Sequence, residues 1–184
     1  MKKKVIIVTD GDKVAQKAIE IGAHNINARV ISRSSGNPTP LSGQEIIKLI
    51  AATPCDPVVV MLDDCGDIGK GAGEIAMKEL AENPDIMIIG IVAVASNSDG
   101  NEEVKVDFSI DANGNLIEAS VDKEGNAKPD NLLKGDTVGI IDSLGAPIVV
   151  GIGDPGKMNF HDMIENGAPI TTKAFKEILK RSRN

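Results

Sequence analysis

The chain has 184 residues, 41% hydrophobic and 26% charged, with a formal net charge of −7, no Trp or Tyr and three Phe. That size suits one α/β domain over 1–184 with a core of Ile, Val, Leu, Ala and Met. The acidic balance and the few aromatics exclude a nucleic-acid surface built on clustered bases or on ring stacking.

Short β-branched runs alternate with helical patterns up to residue 95, which predicts parallel βα units. KVIIV (4–8) is the first strand, and Asp12 can cap a helix whose Val14, Ala15, Ala18, Ile19 and Gly22 recur at helical spacing. ARVIS (28–32) reads as the second strand. Ser42 with Glu45 forms a capping box that starts the second helix. PVVVML (57–62) is nearly all apolar, as a central strand should be. A third helix over about 71–82 leads to a fourth strand, 86–95. Met61, Met77 and Met87 fall on apolar faces and are assigned to the core.

The pattern then changes. Val104, Val106, Phe108 and Ile110 alternate with polar residues, and Asn113-Gly114 sits where a tight turn belongs. An inserted β-hairpin is therefore expected at about 100–125, with its strands within 104–121. A polar stretch over 122–134 separates it from a short helix (136–144), a last strand (147–151), a helix near 158–165 and a final helix (171–182) capped at Thr171 or Thr172.

Ligands of open parallel sheets bind beyond the carboxyl ends of the strands. Three acidic turns belong there: TDGD after the first strand, DDCGDIGKGAGE after the third and GIGDPGK after the last. Asp10, Asp12, Asp63, Asp64 and Asp67 should converge if the first and third strands are neighbours. Crowded carboxylates either raise one another's pKa or hold a hard cation, so Asp10, Asp63, Asp64 and Asp67 are the candidate Mg2+ ligands. Gly69, Lys70, Gly71 and Gly73 lead into a helix N-terminus and are the candidate anion-binding residues, although Lys70 lacks the Ser or Thr that follows it in a Walker loop. Cys55 and Cys65 have neither metal nor disulfide spacing, which suits a reducing compartment. The apolar run after MKKK is too short for export, and 86–95 is half a membrane span, so no direct membrane insertion is expected.

Taken together, VIIVTDGDKVAQKAIE, SGNPTPLSGQEII, DPVVVMLDDCGDIGKGAGE, IVAVASN, VDFSIDANG and PIVVGIGDPGKM with GAPITTKA resemble the soluble stage V sporulation protein AE family of endospore-forming bacteria, from residue 4 to about 180. The resemblance implies a non-enzymatic accessory of sporulation and germination. It would act beside the membrane proteins of an operon concerned with dipicolinic acid, inside the forespore or spore, recruited to the inner membrane by protein contacts. The 104–121 hairpin is the candidate contact surface; no oligomeric state is implied. A weaker, fold-level likeness is to Toprim domains, with a flavodoxin-like sheet as the other expectation. Toprim domains place a Glu after the first strand and an Asp-x-Asp pair after the third. Here Asp10 stands near the Glu position, while Cys65 breaks the pair counted from Asp63. The alternative function on that likeness is a Mg2+-dependent phosphate-handling enzyme.

Overall fold

The computed structural model describes residues 2–66, 71–97 and 102–182. β1 (Lys3–Val8) leads through the Asp10 turn into α1 (Lys13–Asn25). The Asp12 carboxylate accepts from the N–H groups of Val14 (2.7 Å) and Ala15 (2.8 Å), as expected of an N-cap. β2 is only Arg29–Val30, followed by a 3-10 turn at Ser32–Ser34. The strand is cut short because the Ser34 hydroxyl takes over the ladder, accepting the Met61 N–H at 2.9 Å.

The Ser42–Glu45 capping box opens α2 (Gly43–Ala52), and then come β3 (Val58–Met61), α3 (Ala72–Glu82) and β4 (Ile86–Val94). Beyond β4 lie β5 (Glu103–Lys105), β6 (Phe108–Ile110), β7 (Leu116–Ile117), β8 (Leu132–Lys134), β9 (Val149–Ile152) and α4 (Pro169–Arg181).

The main sheet has seven strands in the order β2-β3-β1-β4-β9-β6-β7, all parallel except β7. Side chains alternate across it. Val5, Ile7, Val58 and Val60 pack under α2 and α3 against Ile46, Ile50, Met77 and Leu80. Ile6, Val8, Val59 and Met61 pack under α1 and α4 against Ile19, Ala174, Phe175 and Ile178. β3 is thus interior and buried on both faces, which is why its sequence is uninterruptedly apolar. Among the described residues no helix is long and apolar enough to cross a membrane.

The inserted hairpin turns at Asn113-Gly114 as expected, but it is shorter: Ser109 pairs with Ile117 and Ile110 with Leu116. Its first strand joins the main sheet beside β9, while Val104 pairs with Leu133 in a separate two-stranded sheet. The break falls at Asp107, whose carboxylate accepts the Val149 N–H (2.7 Å) while its own N–H donates to Val149 O (2.9 Å).

The helices expected at 136–144 and 158–165 shrink to 3-10 turns at Ile141–Leu144, Met158–Phe160 and Ile164–Asn166. Left-handed backbone at Gly145, Gly167 and the run Met158-Asn159-Phe160 ends any longer helix there. α4 begins earlier than expected, and Thr171 and Thr172 lie inside its first turn. Its cap comes from outside: Asp162 accepts from the N–H groups of Ile170 (2.7 Å) and Thr171 (3.1 Å). Met61 and Met77 are core, but Met87 is 45% exposed on β4.

Candidate functional site

Parallel β1, β3, β4 and β9 end along one edge, and the turns after β1, β3 and β9 meet above it in a cleft of about 290 Å³. Asp10, Asp12, Asp63, Asp136, Asp154 and Lys157 are among its lining residues. The TDGD turn is held down by close backbone packing: a Cβ on Gly11 would sit 2.1 Å from the Gly36 carbonyl oxygen, so only glycine fits. The Asp12 N–H donates to Asp10 Oδ1 (3.0 Å), and the Gly11 N–H donates to Asp63 Oδ2 (3.1 Å), which locks the first and third turns together.

Carboxylate oxygens of Asp10, Asp12 and Asp154 all lie within 4.8 Å of one another. Lys157 answers part of this charge, with Nζ 2.6 Å from Asp12 Oδ2 and 3.2 Å from Asp154 Oδ1; Lys123 stands 3.8 Å from Asp154 Oδ2.

These contacts sort the carboxyl groups by proton affinity. Burial pushes Asp10 up to about 7, against the pull of the Asp12 N–H and with help from the charges of Asp12, Asp154 and Asp63. Burial also raises Asp63, reinforced by Asp136 and Asp64, and raises Asp154 despite Lys157. At Asp12 burial is outweighed by the Lys157 ammonium and the Ala15 and Val14 N–H groups, so its carboxyl falls below the usual range. Lys157 is raised in turn: burial opposes its charge, but Asp12 and Asp154 prevail. The cleft thus offers hard oxygen ligands of mixed protonation, a donor set suited to Mg2+.

Of the residues expected at the site, Asp10 and Asp63 face this cleft. Asp64 does not. Its carboxylate turns to the N-terminus of α3, where it accepts the N–H groups of Gly73 (2.5 Å) and Glu74 (3.3 Å), and its own N–H donates to Thr137 Oγ1. Successive residues leaving a strand point to opposite faces, so Asp63 and Asp64 serve different neighbours. The same contact occupies the glycines read as an anion cradle. The Gly73 N–H is taken by Asp64, and a Cβ on Gly71 would sit 2.2 Å from Asp64 Oδ1. Asp67, Gly69 and Lys70 lie outside the described residues.

Asp12 and Asp154 complete the cluster without having been among the expected metal ligands. Asp12 belongs to the carboxylates expected to converge, and it joins the cluster while also capping α1. Asp154 sits in the third acidic turn, and its approach to Asp10 follows from β9 lying next to β4, which no local pattern announces.

A family model described as Stage V sporulation protein AE1 matches residues 4–182 of the chain. No curated protein and no solved structure matches it.

Proposed function

The chain belongs to the Stage V sporulation protein AE1 family and is thus a sporulation-related protein, and on that premise we propose that it is a non-enzymatic, cation-binding accessory of the membrane proteins that handle dipicolinic acid in spore formation and germination. The cation is Mg2+, held at the strand ends by Asp10, Asp12 and Asp154 with Asp63 beside them. The observation that carries this reading is the mutual approach of the three carboxylates to within 4.8 Å. Their repulsion is relieved by a bound cation, and Lys157 already fills that part from one side.

Recruitment to the spore membrane runs through protein contacts, with the β6–β7 hairpin as the contact surface. Its outer strand is a sheet edge, with Leu116 39% exposed. The net charge of −7 works against direct binding to anionic lipid.

Titration calorimetry with Mg2+ on the wild type and on Asp154→Asn tests the cation site; saturable binding that the substitution removes is the expected result. No heat at millimolar Mg2+ would sink it. Recruitment is tested by comparing spore membrane fractions with and without the neighbouring membrane proteins. Membrane association that survives their loss, or tight binding to protein-free anionic liposomes, overturns that half. Mg2+-dependent release of phosphate from a nucleotide would move the protein into the phosphate-handling class instead.

A further inference from the structure

A second carboxylate group sits behind the cleft wall, in the first turn of α3. Glu74 is 3% exposed, and among the described residues its buried Oε1 has no hydrogen-bond partner. The charged groups that act on it among the described residues are acidic: Glu102 ahead of β5, Asp64 after β3 and Asp136 in the segment 135–140. Among the described residues none of these four carboxylates is in an ion pair with Lys, Arg or His.

The segment 135–140 is stitched to α3 and to the β3 turn through these groups. The Gly135 N–H donates to the Glu102 carbonyl oxygen at 3.3 Å, and the Ile140 and Gly139 N–H groups face the Glu74 and Glu102 carboxyls. Thr137 Oγ1 accepts the Asp64 N–H at 2.9 Å, and Asp136 Oδ2 accepts the Gly66 N–H at 2.5 Å. A Cβ on Gly139 would lie 3.1 Å from Glu74 Oε1 and 3.0 Å from Glu102 Oε1, so the two oxygens flank the same point of the backbone. Asp136 in turn lines the strand-end cleft.

We propose that Glu74 is a proton-operated latch: protonated, it lets α3 and the 135–140 segment lie together, and ionised among Glu102, Asp64 and Asp136 it drives them apart and moves Asp136 at the cleft edge. The geometry supplies both halves. Among the described residues Oε1 has no hydrogen-bond donor, the pull of the Ile140 N–H on the carboxyl is outweighed by burial, and three flanking acids add repulsion with no Lys, Arg or His paired to them. Burial first, then Glu102 and Asp64, hold the Glu74 carboxyl up at about 7, above its ordinary value of 4.5. Because the folded value is the higher one, the stability linked to this proton is fully present below 4.5 and is lost as pH rises through about 7. The latch does not depend on the cation reading.

The test is carboxyl-carbon NMR titration of the wild type, Glu74→Gln and Glu102→Gln in the presence of a chelator, with hydrogen exchange of the Gly139 and Ile140 amides followed alongside. In the wild type the Glu74 carbon should titrate near neutrality, and both amides should lose protection about tenfold over the same interval once intrinsic exchange is removed. Glu74→Gln should abolish that step. Glu102→Gln should move the Glu74 midpoint to lower pH, which keeps the idea testable if the first variant does not fold. A Glu74 carbon that titrates like an ordinary exposed carboxyl, a step that persists in Glu74→Gln, or a midpoint indifferent to Glu102→Gln overturns the latch.

Discussion

Replacing Asp162 with Ala should be among the most damaging single changes in the chain. Asp162 is fully buried, and its carboxylate accepts four hydrogen bonds: Ile170 N–H (2.7 Å), Thr171 N–H (3.1 Å), Thr171 Oγ1–H (2.6 Å) and Gly156 N–H (2.9 Å). Three of the donors belong to the first turn of α4, whose own N-cap, Ala168, offers no side-chain acceptor. A buried donor left without a partner costs ~1–3 kcal/mol, and loss of a helix cap costs ~1 kcal/mol. Water entering the vacated space recovers part of this, so the expected loss is about 4 kcal/mol, a large share of the 5–15 kcal/mol typical of a folded domain. In a chain of this length that corresponds to a melting point lower by roughly 12 °C. Asp162→Asn should cost about 2 kcal/mol, because the amide keeps one acceptor but turns an NH2 toward a donor. Urea denaturation of the three proteins at matched m-values measures both losses. If Asp162→Ala costs less than about 1 kcal/mol, the external cap does not hold α4, and the reasoning fails.

The Asp10 carboxyl, pushed up to about 7 by burial, makes cation binding depend on pH: Mg2+ should bind more tightly as pH rises through that value and the proton leaves. The stability linked to the Asp10 proton is present below 3.8 and lost as pH rises through about 7, so Mg2+ should raise the melting point most on the alkaline side. Thermal scans across pH with and without Mg2+ check this, and Asp10→Asn should flatten the difference; a cation effect independent of pH refutes it. Gly11→Ala drives a methyl group into the Gly36 carbonyl oxygen at 2.1 Å, and because backbone must move, the cost should be about 3 kcal/mol in the same urea assay. An unchanged midpoint would mean that the turn after β1 is not pinned as described.

What the sequence reveals of this fold is what local chemistry decides. The apolar runs of β1, β3 and β4 and the caps at Asp12 and Ser42 announce themselves, because a strand buried on both faces and a helix with a polar acceptor at its start leave marks within a few residues. β6 is different. The alternation from Val104 to Ile110 reports a period of two but not a partner, and the break at Asp107 sends Val104 to Leu133 and Phe108 to β9. Leu132–Lys134 lies hidden in a polar stretch because only Leu133 of its three residues is buried. The candidate site divides in the same way. Acidic turns at strand ends are legible one by one, but which carboxylates meet depends on strand order, and that brought Asp154 to Asp10. The opposed directions of Asp63 and Asp64 were open to inference from pleating alone.

The position of β9 sets a timetable for synthesis. β1 to β4 and the first three helices leave the ribosome as a consecutive block, but the open side of β4 at Ile91–Val94 is closed only by Val149–Ile152. At about 5–20 residues per second the intervening stretch keeps that side waiting for roughly 3–12 s, and α4, which roofs the face shared with α1, comes later still. Throughout that interval the nascent chain carries an unpaired edge of Ile, Val, Ala and Val, the kind that pairs readily with another copy. A message interrupted between codons 95 and 148 would therefore release a product inclined to aggregate, and a chaperone that shields β4 has its greatest effect within those seconds.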